Sequence, residues 1–214
     1  MAKSNAYKKF MKCHGRALGM IRIHHAVWKE FHENVEEDVV WEDANDDLFR
    51  AGIVLSVSAM DAYFTDRFCE SLVPFIKNNG LNKHLEKLLC ESGFSTWKAI
   101  EMFDNKRPKR VLSNMVKRHL SMFVTQNFKT IDGLYKCYGF SDSFTKNAQG
   151  ISKRKKLLAS LAQLIERRHK VVHSGDYNHH GNLHSINYAR MLRKIIELRK
   201  LVEACEALLE MRKI

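Results

Sequence analysis

The scarcity of residues that interrupt a helix is the feature that most constrains the fold of this chain. Its 214 residues include only two prolines, Pro74 and Pro108, and ten glycines. Sandwiches and barrels need turn residues about every ten positions, and this chain does not supply them. The sequence therefore favours long helices and predicts an all-α protein.

Apolar residues recur at helical spacing in four stretches, which predict the long helices. The stretches are residues 4–35, about 44–79, 151–173 and about 185–212. Part of the second, "AGIVLSVSAM" (51–60), is apolar nearly all round, so we expect it to be the central buried helix of a bundle.

Two other regions lack this regularity. Residues 30–47 carry nine acidic residues and no Lys or Arg, and we expect a helix end and a solvated loop there. Residues 81–150 predict three short helices and a longer one near 107–127. We interpret the whole chain, 1–214, as a single helical domain in which 81–150 forms a smaller, less regular helical insertion.

The net charge of +12 predicts an anionic partner, either nucleic acid or an anionic membrane, unless the protein is simply basic. Lys and Arg cluster in "KRPKR" (106–110), "SKRKK" (152–156), "ERRHK" (166–170) and "RMLRK" (190–194). The five cysteines form no CxxC pair, and the start of the chain is polar. These features predict a cytoplasmic protein with reduced thiols and no membrane association.

The stretch "ERRHKVVHSGD" (166–176) lies at the predicted end of a helix and has three interpretations. The simplest is a basic helix end, because cations interact favourably with the C-terminal end of the helix dipole. The second is a metal site, since His169 and His173 share a helix face and His179, His180 and His184 follow closely. The flanking cations oppose a metal, and we predict none.

The third interpretation, phosphate chemistry, explains the mixture of Arg and His best. Cleavage of RNA by its own 2′-hydroxyl needs a base, an acid and a cation for the phosphate. His serves for proton transfer near neutral pH, and Arg offers a permanent, forked charge. No metal or other cofactor is needed. One protomer offers one such His, so we expect a two-fold homodimer with a composite active site.

The segment "RRHKVVHSGD" (167–176) resembles the signature of HEPN domains, in which an Arg, a polar residue and a His close a helix. The "VVHSGD" ending and the segment "SVSAMDAYFTDRF" (56–68) resemble the RiboL-PSP-HEPN branch. Residue His169 departs from the pattern, which commonly has Asn there. The resemblance covers about residues 45–212.

The resemblance implies a HEPN-like helical bundle that dimerises and acts as a metal-independent endoribonuclease on RNA. It also implies a role as a bacterial toxin or antiphage effector, with an antitoxin or regulatory partner. Catalysis would fall to Arg168 and His173. The resemblance further suggests four supporting residues: His169, Asp61, Arg167 and Asp176.

Two other functions remain open at this stage. Some members of the family bind or regulate without cutting RNA, so a non-catalytic module that binds RNA or a protein partner is the first alternative. A metal-dependent hydrolase that uses the histidine cluster is the second. Neither the RNA target nor the roles of 30–47, His179, His180 and His184 follow from the sequence.

Overall fold

A computed structural model describes residues 3–34, 39–122, 127–140, 144–148 and 154–214. Within these ranges the chain is helical, and its single β-bridge joins Tyr177 to Leu183. The helices are α1 (Asn5–Asn34), α2 (Val39–Asn79), α3 (Lys83–Glu91), α4 (Thr96–Phe103), α5 (Pro108–Leu120), α6 (Phe128–Tyr135), a 3-10 helix (Lys136–Tyr138), α7 (Phe144–Asn147), α8 (Arg154–Ser174) and α9 (Tyr188–Met211). The prediction of an all-α bundle is confirmed.

Two predicted boundaries are wrong. Helix α2 begins at Val39 rather than near residue 44, so residues 39–43 of the acidic stretch are helical rather than a solvated loop, whereas 35–38 lie outside the described residues. Helix α9 begins at Tyr188 instead of near residue 185. Its cap is Asn187, whose side chain accepts a hydrogen bond from the backbone N–H of Arg190, and extended backbone at Asn187 stops the helix from starting earlier.

Helices α1 and α2 pack against each other along much of their length and form the most extensive helix pair in the fold. The closest approach is at Gly52 of α2. A Cβ atom at this position would lie 2.7 Å from Cγ1 of Ile21 and 3.1 Å from the backbone oxygen of Ala17. Glycine therefore lets α1 come near enough to bury Ile21 and Ala17 against α2.

The middle of α2 is the centre of the core, as its apolar sequence predicts. Phe64 and Phe68 are fully buried there, and the aromatic rings of the 127–148 region cover them. Tyr135 stacks on Phe144 with ring centroids 4.2 Å apart and donates its hydroxyl to the backbone oxygen of Phe64 at 3.1 Å. Part of the predicted insertion therefore contributes directly to the core beside α2.

A buried carboxylate ties three helices together at one end of the molecule. Glu206 of α9 accepts hydrogen bonds from the backbone N–H of Ser4, from the Tyr63 hydroxyl and from Nε of Arg67, at 2.9–3.0 Å. Burial alone would raise the pKa of Glu206, but these bonds to its charged form outweigh burial and lower it. The opposite end of α2 meets the end of α8.

Helix α8 lies between α2 and α9 and buries Leu161, Leu164 and Ile165. At its border with α9, the Gln163 side-chain oxygen accepts hydrogen bonds from Arg190 and Lys194 at 3.0 and 2.7 Å. These contacts fix α8 up to its last two turns. In the described part of the chain, none of the helices has the length and apolar character needed to cross a membrane.

Candidate active site

The end of α8 is shaped by two consecutive residues in the left-handed conformation. The helix ends at Ser174, after which Gly175 has φ +59° and Asp176 has φ +68°. Gly adopts this conformation freely, and Asp is among the few other residues that tolerate it. The backbone N–H of Asp176 donates to the oxygen of Lys170, so the chain folds back under the helix end.

This reversal places the Asp176 carboxylate in the interior, where two arginines meet it. Oδ2 of Asp176 accepts hydrogen bonds from Nε of Arg50 at 3.0 Å and from Nη2 of Arg167. The Asp176 side chain is 0% exposed, that of Arg50 4% and that of Arg167 14%. We call Arg50, Arg167 and Asp176 the Asp176 ion cluster. It joins α2, α8 and the following loop.

Asp46 and Asp47, the last two residues of the acidic 30–47 stretch, interact with Arg50 of this cluster. Asp47 accepts a hydrogen bond from Nη1 of Arg50 at 3.0 Å, and Asp46 lies 3.9 Å from Nη2. Burial alone would lower the pKa of Arg50, but the bonds to Asp176 and Asp47 raise it, so Arg50 stays charged. Three carboxylates thus surround one buried guanidinium.

Residues 176–184 form a short hairpin-like loop beside the cluster. The backbone N–H of His184 donates to the Asp176 oxygen at 3.0 Å, and that of Asn178 donates to the Asn182 oxygen at 2.8 Å. The backbone oxygen of His184 in turn accepts from Nη2 of Arg167 at 2.8 Å. His179 and His180 are exposed at the tip of the loop, away from the cluster that holds its base.

The predicted catalytic residues lie on the last two turns of α8. His173 is exposed, His169 is half-buried, and their rings stack nearly parallel, with centroids 5.8 Å apart and a 13° angle between planes. Arg168 is half-buried on the same two turns, about 7.5 Å before His173 along the helix axis. We call Arg168, His169 and His173 the Arg–His cluster.

The cations at this helix end differ in their partners. Arg167 is bound to Asp176, and Lys170 lies 3.4 Å from the Glu166 carboxylate. Arg168 has no hydrogen bond or ion pair with any residue that the structure describes, and its Nε is buried. The terminal nitrogens of the Arg168 guanidinium are not fully buried and no described residue pairs with them, so they are able to bind an anion.

The three remaining supporting residues do not lie together. Asp176 binds Arg167 and Arg50 rather than Arg168. Asp61 is half-buried on α2, about 16 Å further along the helix axis than Arg50. Its supporting role stays a prediction.

The five histidines near the helix end do not form a metal site in the described part of the chain. His169 and His173 pair on α8, whereas His179 and His180 pair at the loop tip with centroids 3.8 Å apart. Among the described residues, no group of three or more His, Cys, Asp or Glu side chains is placed so that it could hold a metal ion.

Arg50 is the residue of this region that the sequence-based interpretation missed. It lies one turn before Ile53 and two turns before Val57, on the buried side of α2. A cation at a core position indicates a buried ion pair, because an isolated buried charge is too costly. That signal was present in the sequence, but its partner is 126 residues further along.

Comparison with known proteins identifies a family for this chain. The family model described as RiboL-PSP-HEPN matches residues 29–210, which include both clusters and most of the chain. Searches of curated proteins and of solved structures found no match.

Proposed function

Because the chain belongs to the RiboL-PSP-HEPN family, we propose that it is a metal-independent endoribonuclease that cleaves RNA through the 2′-hydroxyl. The observation that carries this proposal is the Arg–His cluster itself. The cluster combines the guanidinium of Arg168, which has no partner among the described residues, with the exposed imidazole of His173. Both lie on a helix end that the Arg167–Asp176 contact holds in place. An anion-binding cation and a proton-transfer group are the two functions that this reaction requires.

In the proposed reaction, one His173 takes the proton of the 2′-hydroxyl, and the freed oxygen attacks the adjacent phosphorus. The bond from phosphorus to the 5′-oxygen breaks, and that oxygen receives a proton from a second acid. The products are a 2′,3′-cyclic phosphate and a 5′-hydroxyl. Arg168 binds the non-bridging phosphate oxygens, whose negative charge grows in the transition state.

The second acid is proposed to come from a second copy of the chain. A two-fold dimer that joins the ends of α8 would bring two His173 and two Arg168 side chains into one cleft. Exposed apolar side chains next to the cluster support this arrangement: Val172 is 47% exposed and Tyr177 is 53% exposed. Apolar side chains beside a functional cluster are typical of a surface that is covered by a partner.

Within this proposal the two adjacent arginines have different roles. Arg167 positions the end of α8 through Asp176 and the His184 backbone oxygen, and is not available to phosphate in the same way as Arg168. Arg168 and His173 contact the substrate, and His169 supports the His173 ring that it stacks against.

The test is cleavage of a mixed-sequence RNA in EDTA, followed by mapping of the ends. We expect 2′,3′-cyclic phosphate ends, no cleavage by His173→Ala, and cleavage slowed roughly 10²–10³-fold in Arg168→Ala, as for loss of a key charge donor. Lys170→Ala is the matched control, because it removes a neighbouring cation already paired with Glu166. Loss of all cleavage in EDTA, or normal cleavage by both active-site variants, would contradict the proposal.

The same experiment separates the alternatives. A non-catalytic module would bind RNA in a salt-dependent way and leave it intact. A metal-dependent hydrolase would contain a stoichiometric metal ion, which elemental analysis of the purified protein detects. A toxin or antiphage effector should arrest growth when produced in a bacterial host, and His173→Ala should relieve the arrest.

A further inference from the structure

A second surface, remote from the Arg–His cluster, combines exposed aromatic rings with unpaired cations. Helix α4 buries none of its side chains: Trp97 is 69% exposed, Ile100 52% and Phe103 84%. Large apolar side chains exposed together indicate a binding surface. The basic stretch 106–110 follows directly. We call Trp97, Phe103, Lys106, Arg107, Lys109 and Arg110 the α4–α5 platform.

The aromatic part of the platform is ordered by the helix. Trp97, Ile100 and Phe103 are three positions apart and share one side of α4, whereas Ala99 and Met102 on the other side are partly covered. Nε1 of Trp97 donates to the Glu101 carboxylate at 3.1 Å, and that carboxylate also pairs with Lys98 at 2.6 Å. The indole is therefore held in place while most of its surface stays open.

The basic part of the platform carries four exposed cations in five residues. None of Lys106, Arg107, Lys109 and Arg110 forms a salt bridge with another residue of the described ranges. Lys109 and Arg110 also line a groove of about 530 Å³ together with Lys77, Val73 and Pro74 of α2. The groove extends the positive surface from the start of α5 onto the end of α2.

We propose that the α4–α5 platform binds single-stranded RNA, with bases stacked on Trp97 and Phe103 and phosphates on the four cations. Single-stranded RNA presents flat rings and negative charges in alternation, and the platform presents the complement of both. An acidic peptide would match only the cations. The choice of RNA rests on the proposed function, but the binding is independent of cleavage.

The platform is separate from the Arg–His cluster. Lys77 lies 27 residues after Arg50 on α2, which corresponds to about 40 Å along the helix axis. At roughly 3.4 Å per nucleotide of a stacked strand, about twelve nucleotides would span that length. The platform would thus hold RNA beyond the segment that is cut.

The test uses a 20-nucleotide single-stranded RNA in which every 2′-hydroxyl is methylated, so that it cannot be cleaved. We expect Trp97→Ala/Phe103→Ala to weaken binding roughly tenfold or more, as for loss of base stacking. Replacing the four platform cations with Ala should weaken binding. It should also make the slope of log binding constant against log salt concentration shallower, by about 0.7 for each phosphate that the variant no longer neutralises. Binding should quench tryptophan fluorescence, and Trp97→Phe should keep the affinity but lose most of the quenching.

The matched control removes four exposed cations from α1, namely Lys8, Lys12, Arg16 and Arg22. We expect a much smaller loss of affinity, because these residues are not next to aromatic rings on the platform. Equal losses in both quadruple variants, or unchanged binding by Trp97→Ala/Phe103→Ala, would overturn the inference. Equal competition by polyglutamate would overturn it in favour of an acidic protein partner.

The outcome is distinguishable from failure of the proposed function. If platform variants lose affinity for the methylated RNA while wild-type protein cuts no unmodified RNA, the platform stands and the ribonuclease proposal fails. If wild-type protein cuts RNA but the platform variants bind as wild type does, the ribonuclease proposal stands and the platform fails.

Discussion

Asp176 is the residue on which the geometry of the Arg–His cluster depends. Its left-handed backbone ends α8, and its buried carboxylate pairs with Arg50 and Arg167. One side chain thereby fixes the direction of the chain after α8 and leaves Arg168, rather than Arg167, without a partner in the described ranges. The contrast between adjacent arginines arises from a residue more than two helical turns further along the chain.

We predict that Asp176→Asn lowers the free energy of unfolding by about 3 kcal/mol, because it removes the fully buried carboxylate that Arg50 and Arg167 share. Asn tolerates the left-handed backbone, so this change isolates the loss of charge. Urea denaturation measures the effect. Asp47→Asn is the control, since Asp47 also pairs with Arg50 but its side chain is 71% exposed, and it should cost less than about 1 kcal/mol. Equal losses would show that burial of Asp176 does not matter.

At the scale of the element, the pairing of α1 with α2 depends on a small residue at the point where they touch. Gly52 lies where α2 meets Ile21 and Ala17, so the two helices approach as closely as their backbones allow. In contrast, Gly15 and Gly19 on α1 have no other atoms within 4 Å of an added Cβ. Glycine therefore allows close packing at Gly52 of α2, whereas at Gly15 and Gly19 of α1 it only lowers the stability of the helix.

We predict that Gly52→Ala destabilises the protein by about 1–2 kcal/mol, because overpacking outweighs the better helix propensity of Ala. Gly19→Ala has the propensity gain without the clash and should stabilise by roughly 0.5–1 kcal/mol. Thermal denaturation of both variants provides the comparison. Stabilisation of similar size by both changes would mean that α1 moves away from Gly52 without cost.

At the scale of the whole molecule, two buried histidines connect α1 to the rest of the bundle. Nε2 of His14 is 3.1 Å from the backbone oxygen of Ile195 on α9. His24 packs on Phe49 and Tyr188 and lies 3.6 Å from Asp46, near the Asp176 ion cluster. Burial lowers the pKa of His14, and it lowers the pKa of His24 despite the opposing effect of Asp46.

These lowered pKa values predict a loss of stability in mild acid. The unfolded chain binds protons at these histidines below about pH 6.5, whereas the folded chain resists them until a lower pH. The contribution of the two histidines to the free energy of unfolding should therefore be fully present above about pH 6.5, and the free energy of unfolding should fall as the pH decreases from there. We expect His14→Gln/His24→Gln to reduce the difference between urea denaturation at pH 7.5 and at pH 5.5. The exposed pair in His179→Gln/His180→Gln should leave that difference unchanged.

The proposed dimer gives a second prediction for the whole molecule. A charge at Val172, next to His173, should prevent two α8 ends from meeting, so Val172→Glu should sediment as a monomer and lose RNA cleavage. Its circular dichroism should match that of wild type, because Val172 is exposed in the single chain. Met211→Glu places a charge at the far end of α9, about 34 Å along the axis from Tyr188 at its start, and should change neither property. A dimeric Val172→Glu would contradict the interface.

The helices were predictable because their signals are local. Periodic apolar residues located α1, α2, α8 and α9, and Phe49 and Phe64 of α2 are buried as their helical spacing predicts. The predictions failed where a distant contact decides the local structure. Helix α2 begins at Val39 rather than near residue 44, and in its acidic first turns Asp46 meets His24 of α1 and Tyr188 of α9. No pattern within 30–47 contains that information.

The sequence by itself determined the all-α fold, the family, and the presence of Arg168, His169 and His173 on one helix end. Periodicity and a short motif are sufficient for these, because both are read within a few turns of a helix. Only the tertiary structure decided which arginine has a partner. That outcome depends on Arg50, Arg167 and Asp176 meeting in the interior, where a charge must be paired, and residues so far apart in the chain meet only when the helices pack.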